Sequence, residues 1–77
     1  MTVEIITPDR QIFNGEADAV QLPGINGSFG VLNNHAPLIA ALRKGRVKIT
    51  VGNDDTTFDI DGGVVEVKNN RVIVLAE

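Results

Sequence analysis

Nucleophilic catalysis by a triad needs a histidine beside a serine, threonine or cysteine, with a carboxylate to orient it. This chain of 77 residues offers one histidine, His35, and no cysteine. Ser28 is a candidate hydroxyl seven positions upstream, but no motif spacing links the two. A zinc site needs four donors, normally rich in Cys or His, and the sequence does not supply them. Gly24, Gly27 and Gly30 resemble a phosphate cradle in composition only. Their spacing is neither G-x-G-x-x-G nor G-x-x-x-x-G-K-[ST], and no long helical pattern follows to present an N-terminus to phosphate. Asp54, Asp55, Asp59 and Asp61 cluster locally. The calcium-loop pattern D-x-[DN]-x-[DN]-G fails over Asp59–Val64 at the third ligand and at the glycine. Solvated turns and strand faces account for these aspartates. The chemical inventory therefore predicts no catalytic residue, no cofactor and no bound metal.

Arg43, Lys44, Arg46 and Lys48 form a basic run in a chain of net charge −3. They read either as a solvated face that discourages edge pairing or as a docking patch for an acidic partner. The acidic balance excludes non-specific nucleic-acid binding. With no Trp or Tyr and three Phe, no stacking platform for bases exists either. The longest apolar run is Leu38–Leu42. A helical membrane span requires ~20 apolar residues, so this run is far too short to be one. The first residues, Met1-Thr2-Val3-Glu4, lack the basic and apolar regions of a signal peptide. A cytoplasmic setting is the default expectation.

The elements that must position these residues are strands. Thr2–Thr7 is β-branched and stops at Pro8-Asp9, a ladder breaker followed by a turn former. Gln11–Phe13 runs into Asn14-Gly15, a strong hairpin signal. Ala17–Leu22 follows, with Val20 and Leu22 on one face, and Pro23-Gly24 is expected to end it. Asn26-Gly27 signals another turn. Ser28–Leu32 is a strand in which Gly30 marks a bulge or a close backbone approach. Asn33–Pro37 is a loop. Leu38–Leu42 suits helix or strand by composition; its shortness favours strand. Arg46–Val51 alternates cleanly, with Val47, Ile49 and Val51 on one face and Arg46, Lys48 and Thr50 on the other, the pattern of a half-buried strand. Thr56–Ile60, Val64–Lys68 and Arg71–Leu75 complete the series, separated by Asp61-Gly62-Gly63 and Asn69-Asn70. The last is apolar on both faces and belongs in a central position. Short strands with closely spaced turns and almost no helical period predict an all-β fold. The expectation is one domain, 1–77: a small two-sheet sandwich of about eight to ten short antiparallel strands.

Gly27-Ser28-Phe29-Gly30-Val31-Leu32-Asn33-Asn34-His35-Ala36-Pro37-Leu38 strongly resembles the signature of the epsilon subunit of F-type ATP synthase, called delta in mitochondria. That pattern is G, any residue, F or L, G, a β-branched residue, an apolar residue, two variable positions and H-A-P-L. Every fixed position is met. The flanks agree, from Ile5-Ile6-Thr7-Pro8 and Phe13-Asn14-Gly15 through Gly45-Arg46-Val47 to Gly62–Val67 and Val72–Ala76.

The resemblance implies a sandwich at the foot of the central stalk, bound to the gamma subunit and resting on the c-ring. It would be a non-catalytic rotor part that couples proton-driven rotation to ATP synthesis on other subunits. It implies an interface at Ser28, Asn33, Asn34, His35 and Leu38, with Gly27, Gly30, Pro37 and Gly45 as structural positions. For His35 a second role stands beside this one, a turn residue bonded within its own loop. The implied location is peripheral, on the cytoplasmic face of a bacterial plasma membrane or in a chloroplast thylakoid, with no insertion into the membrane. Family members usually continue after a segment like Leu75-Ala76-Glu77 into a helical hairpin that carries inhibition and, in some members, ATP binding. That hairpin is expected to be absent here, so neither property is carried over. The alternative to the stalk role is a free-standing sandwich that binds calcium or carbohydrate through Asp54–Asp61.

Overall fold

A computed structural model describes residues 1–77. Nine strands and no helix make up the fold: β1 (Thr2–Ile6), β2 (Gln11–Glu16), β3 (Ala19–Gly24), β4 (Gly27–Leu32), β5 (Leu38–Leu42), β6 (Gly45–Val51), β7 (Asp54–Ile60), β8 (Gly63–Lys68) and β9 (Arg71–Ala76). They hydrogen-bond in the order β2-β1-β9-β8-β5-β3-β6-β7, with β4 on the other side of β3. Only Gly24 opposite Leu42 joins β3 to β5. The sheet curls at that single link into two leaves, β2-β1-β9-β8-β5 and β4-β3-β6-β7.

Strand alternation fills the space between the leaves. Val3 and Ile5, Val65 and Val67, and Val72 and Val74 point inward from one leaf. Val20 and Leu22, Val31, and Val47 and Ile49 meet them from the other. The core is almost wholly aliphatic, and no polar or charged side chain is buried. Phe13 of β2 and Phe58 of β7 bring the two ends of the curl together, with ring centroids 5.4 Å apart.

Several local expectations are corrected. Asn14-Gly15 is not a turn; both residues lie inside β2, opposite Glu4 and Val3. The reversal sits at Pro8-Asp9, where Thr7 donates its N–H to Arg10 O at 2.8 Å. An Asn-Gly pair makes a hairpin only if the flanking segments can pair with each other. Here the segment after it is claimed by β4 and β6. Pro23-Gly24 closes its strand from inside, since both residues are paired and β3 runs through Gly24. Pro23 faces Ser28, and its carbonyl accepts the Arg43 N–H at 2.9 Å. Gly30 is not a bulge, because β3 and β4 stay in register over all six pairs from Ala19–Leu32 to Gly24–Gly27. The strands are not all antiparallel either: β1 runs parallel to β9, from Thr2–Arg71 to Ile6–Leu75. That pairing joins the two ends of the chain, and no local signal announces it. As expected, β9 is central, and Leu38–Leu42 is extended.

Candidate functional site

The β3–β4 hairpin turns through two residues, Ile25 and Asn26, between the facing pair Gly24 and Gly27. Gly27 has a φ of 132°. L side chains rarely adopt that conformation, so glycine is required at the corner. The hairpin tip folds toward the end of β5, where Ile25 donates its N–H to Ala41 O at 3.1 Å. β4 then runs away from that contact, and the Asn33–Pro37 loop returns the chain to the start of β5. The hairpin and β5 thus border an open groove of about 590 Å³. Phe29, Leu38 and Ala40, each half-buried against the core, line it together with Ile25, Ile39 and His35. Ile25 is 61% exposed and Ile39 is 71% exposed. Isoleucine is among the residues most often buried, so two such side chains on one side of a small domain stand out.

The loop opposite the hairpin tip is held by hydrogen bonds. The Met1 ammonium donates to Asn33 Oδ1 at 2.6 Å and to Ala17 O at 3.0 Å. Asn34, at φ 64°, donates its N–H to Asn70 Oδ1 at 2.9 Å. His35 donates its N–H to Leu32 O at 3.2 Å, and its ring Nδ1 lies 2.7 Å from Ala36 O. A carbonyl only accepts, so this contact assigns the proton to Nδ1 and leaves Nε2 for a partner. His35 therefore does bond within its own loop, and its ring also borders the groove.

The structure gathers only some of the expected interface residues. His35 and Leu38 share the groove with Gly27. Ser28 is exposed on β4, outside the groove lining. Asn33 and Asn34 are engaged in the bonds that fix the loop. Pro37 is exposed just before β5. Gly45 is a close-packing position: a Cβ there would lie 2.8 Å from Pro23 Cβ. The sequence pattern does not nominate Ile25 or Ile39 for the surface, and it marks Phe29 only as a position of the signature. An isoleucine inside a Gly-Ile-Asn-Gly turn, where a polar residue is the norm, was the signal available for Ile25.

Chemistry finds little here. No hydrogen bond joins His35 to Ser28. The acidic residues do not converge, and no three His, Cys, Asp or Glu side chains are placed to hold a metal. Asp55 Oδ1 accepts the Thr50 hydroxyl at 2.7 Å, and Asp59 Oδ1 accepts Arg46 Nε–H at 3.2 Å across exposed strands. Arg46 is thus paired, while Arg43 and Lys44 stand exposed in the β5–β6 turn without an ion pair. The arrangement is a shaped, largely apolar surface on a frame whose loops are joined by hydrogen bonds. No helix is long and apolar enough to cross a membrane.

Comparison with known proteins gives this surface a context. The model of the β-sandwich domain of the ATP synthase delta/epsilon chain matches residues 1–77. The ATP synthase epsilon chain of Chlorobaculum tepidum is 46% identical over 77 residues, covering 99% of this chain and 88% of the relative. That of Dehalococcoides mccartyi is 39% identical over 77 residues, but this chain spans only 55% of its length. The central stalk and c-ring structure of Tetrahymena thermophila mitochondrial ATP synthase contains a chain with the same fold. It superposes with a TM-score of 0.82 at 22% identity, covering 97% of this chain and 61% of that one.

Proposed function

This chain belongs to the delta/epsilon family of ATP synthase subunits, and from that premise we propose that it is the rotor subunit that ties the gamma subunit to the c-ring. It is a non-catalytic part of a larger complex. In this reading proton flow turns the c-ring, the sandwich turns with it, and gamma carries the torque to catalytic sites on other subunits. The complex would hold the chain at the cytoplasmic face of the membrane, without insertion.

The observation that carries the reading is the family match along the whole chain. The groove between the β3–β4 hairpin and β5 supports it as the docking surface. Exposed Ile25 and Ile39 lie on that side, and His35 Nε2 is a free hydrogen-bonding atom there. Apolar anchors with a few directed polar groups are the usual make-up of a stable interface core. The frame suits a part under load. Loops 17–18, 33–34, 52 and 70 are joined at one end by side-chain and terminal hydrogen bonds, including Gly52 N–H to Asp18 Oδ2 at 2.7 Å. On this reading those bonds hold the loops in place under load.

Solubilised membranes from cells that carry an affinity-tagged copy of this chain provide the test. The proposal predicts that gamma and the c subunit are recovered with the tag in constant ratio. Recovery of the tagged chain alone, from membranes that contain an otherwise intact ATP synthase, would overturn it.

A further inference from the structure

Glycine weakens a strand interior, so one that sits there needs a reason. Gly30 has none inside this chain. Its φ is not positive, its pairing with Gln21 is regular, and a Cβ built on it would meet nothing closer than Val20 O at 3.9 Å. The close approach that glycine permits must come from outside.

The hydrogen-bonding pattern shows from which side. The two-residue hairpin closes on Gly24 and Gly27, which makes them a bonded pair. Bonded and non-bonded pairs alternate along an antiparallel ladder, so Leu22–Phe29 and Val20–Val31 are bonded too. Ser28, Gly30 and Leu32 then direct their N–H and C=O groups away from β3. Pro23, which has no N–H, faces Ser28 in agreement with this phase. Leu32 C=O is taken by His35 N–H, whereas no bond within the chain uses the outward groups of Ser28 and Gly30.

The two end strands of the sheet, β7 and β2, are guarded, while β5 is open beside the groove beyond Leu42. β7 carries Asp54, Asp55 and Asp59, and β2 itself is irregular at Ile12, the extra residue where its register against Ile5 and Ile6 shifts. The rings of Phe13 and Phe58 also close those two strands against each other. Charges, bulges and covers are the usual defences of an edge strand. β4, Gly-Ser-Phe-Gly-Val-Leu, has no charge, no proline and no bulge. Leu32 on its outer face is 65% exposed.

We infer that β4 is an acceptor edge: an extended segment of the stalk partner adds to it as a further strand, hydrogen-bonded to Ser28 and Gly30. This rests on the stalk reading and gives it a binding mode, strand addition. The incoming segment has alternate apolar residues, since one of its faces continues the groove side at Phe29, His35 and Leu38. The residue opposite Gly30 is large, because a bulky side chain laid over an edge glycine restores the packing that the glycine lacks. Gln21, Ser28 and Leu32 bound the hollow above Gly30 that would receive it.

Amide hydrogen exchange, compared between the free chain and the chain within the intact ATP synthase, tests this. The amides of Ser28 and Gly30 are expected to exchange at least about tenfold more slowly in the complex, as backbone groups do once paired. Gly30→Pro removes one of these donors without removing any bond inside the chain. It should leave the thermal melt of the free chain little changed and weaken assembly about tenfold or more, while Thr57→Ala, on exposed β7 away from this edge, assembles normally. If the chain assembles while both amides exchange as fast as in the free chain, the inference is wrong and the stalk reading survives. If the chain does not assemble at all, the stalk reading itself falls. Protection of both amides in the free chain that grows with concentration would mean that β4 pairs with a second copy, which also overturns the inference.

Discussion

At the scale of single residues, glycines separate into those the fold needs and those it does not. Gly45 is needed, because a methyl group there would press on Pro23 at 2.8 Å. Gly45→Ala is expected to destabilise the free chain by about 1–3 kcal/mol, the usual range for overpacking. Gly30→Ala meets open space and should leave stability unchanged or raise it by up to about 1 kcal/mol, since a stiffer unfolded chain has less entropy to lose. Urea unfolding of the two variants measures the contrast, and equal losses would show that the β4 environment has been misread. The exposed Arg46–Asp59 pair belongs at the other extreme. Asp59→Asn should shift stability by no more than about 0.5 kcal/mol, as solvent screens such pairs.

Turns, pairings and edges are decided at the scale of elements, and here the sequence is informative only where its signals are local. Arg46–Val51 reads correctly as a strand and for Val47 and Ile49, which alternation alone assigns to the core, whereas Val51 at the strand's end is exposed. Asn69-Asn70 also reads correctly: both residues take positive φ, 53° and 59°, in a two-residue turn between β8 and β9, as a twist-matched hairpin turn requires. Asn14-Gly15 misleads because turn propensity is weaker than the pairing that β1 imposes on β2. The parallel β1–β9 ladder and the Gly24–Leu42 corner have no signature, because each joins segments far apart in the chain. The candidate site was legible in part. The Gly27–Leu38 stretch was marked by its glycines, histidine and proline, yet the groove depends on how the β3–β4 hairpin meets β5, which no spacing reveals. Two element-scale outcomes follow. Asn70→Ala should cost about 1–2 kcal/mol, losing both a residue tolerant of positive φ and the bond from Asn34. Asn70→Gly should cost less, since it removes the bond alone. A double-mutant cycle on Phe13 and Phe58, each changed to Leu and measured by urea unfolding, should give a coupling of about 0.5–1.5 kcal/mol. Zero coupling would mean that the ends of the curl are not held by their rings.

For the whole molecule, the proposed stalk role accounts for an aliphatic body whose loops are cross-linked by hydrogen bonds. A part that passes torque needs surfaces that bind and a body that does not deform. The aliphatic core supplies the body, and the groove beside β4 supplies a surface. Relatives of two lengths share this body: one is nearly as short as this chain, and another is almost twice as long. The shared function is therefore expected to reside in the sandwich.

The chain has no cysteine, so a single introduced thiol can report its surroundings. Ile39→Cys places that thiol beside the groove, and Thr57→Cys places one on exposed β7. Each variant would be incorporated into the intact ATP synthase and labelled there with a short photoreactive crosslinker. The account predicts that the label at position 39 is captured by gamma or by the c subunit and that the label at position 57 is not. Capture from position 57 alone, with position 39 open to solvent in the assembled complex, would contradict it.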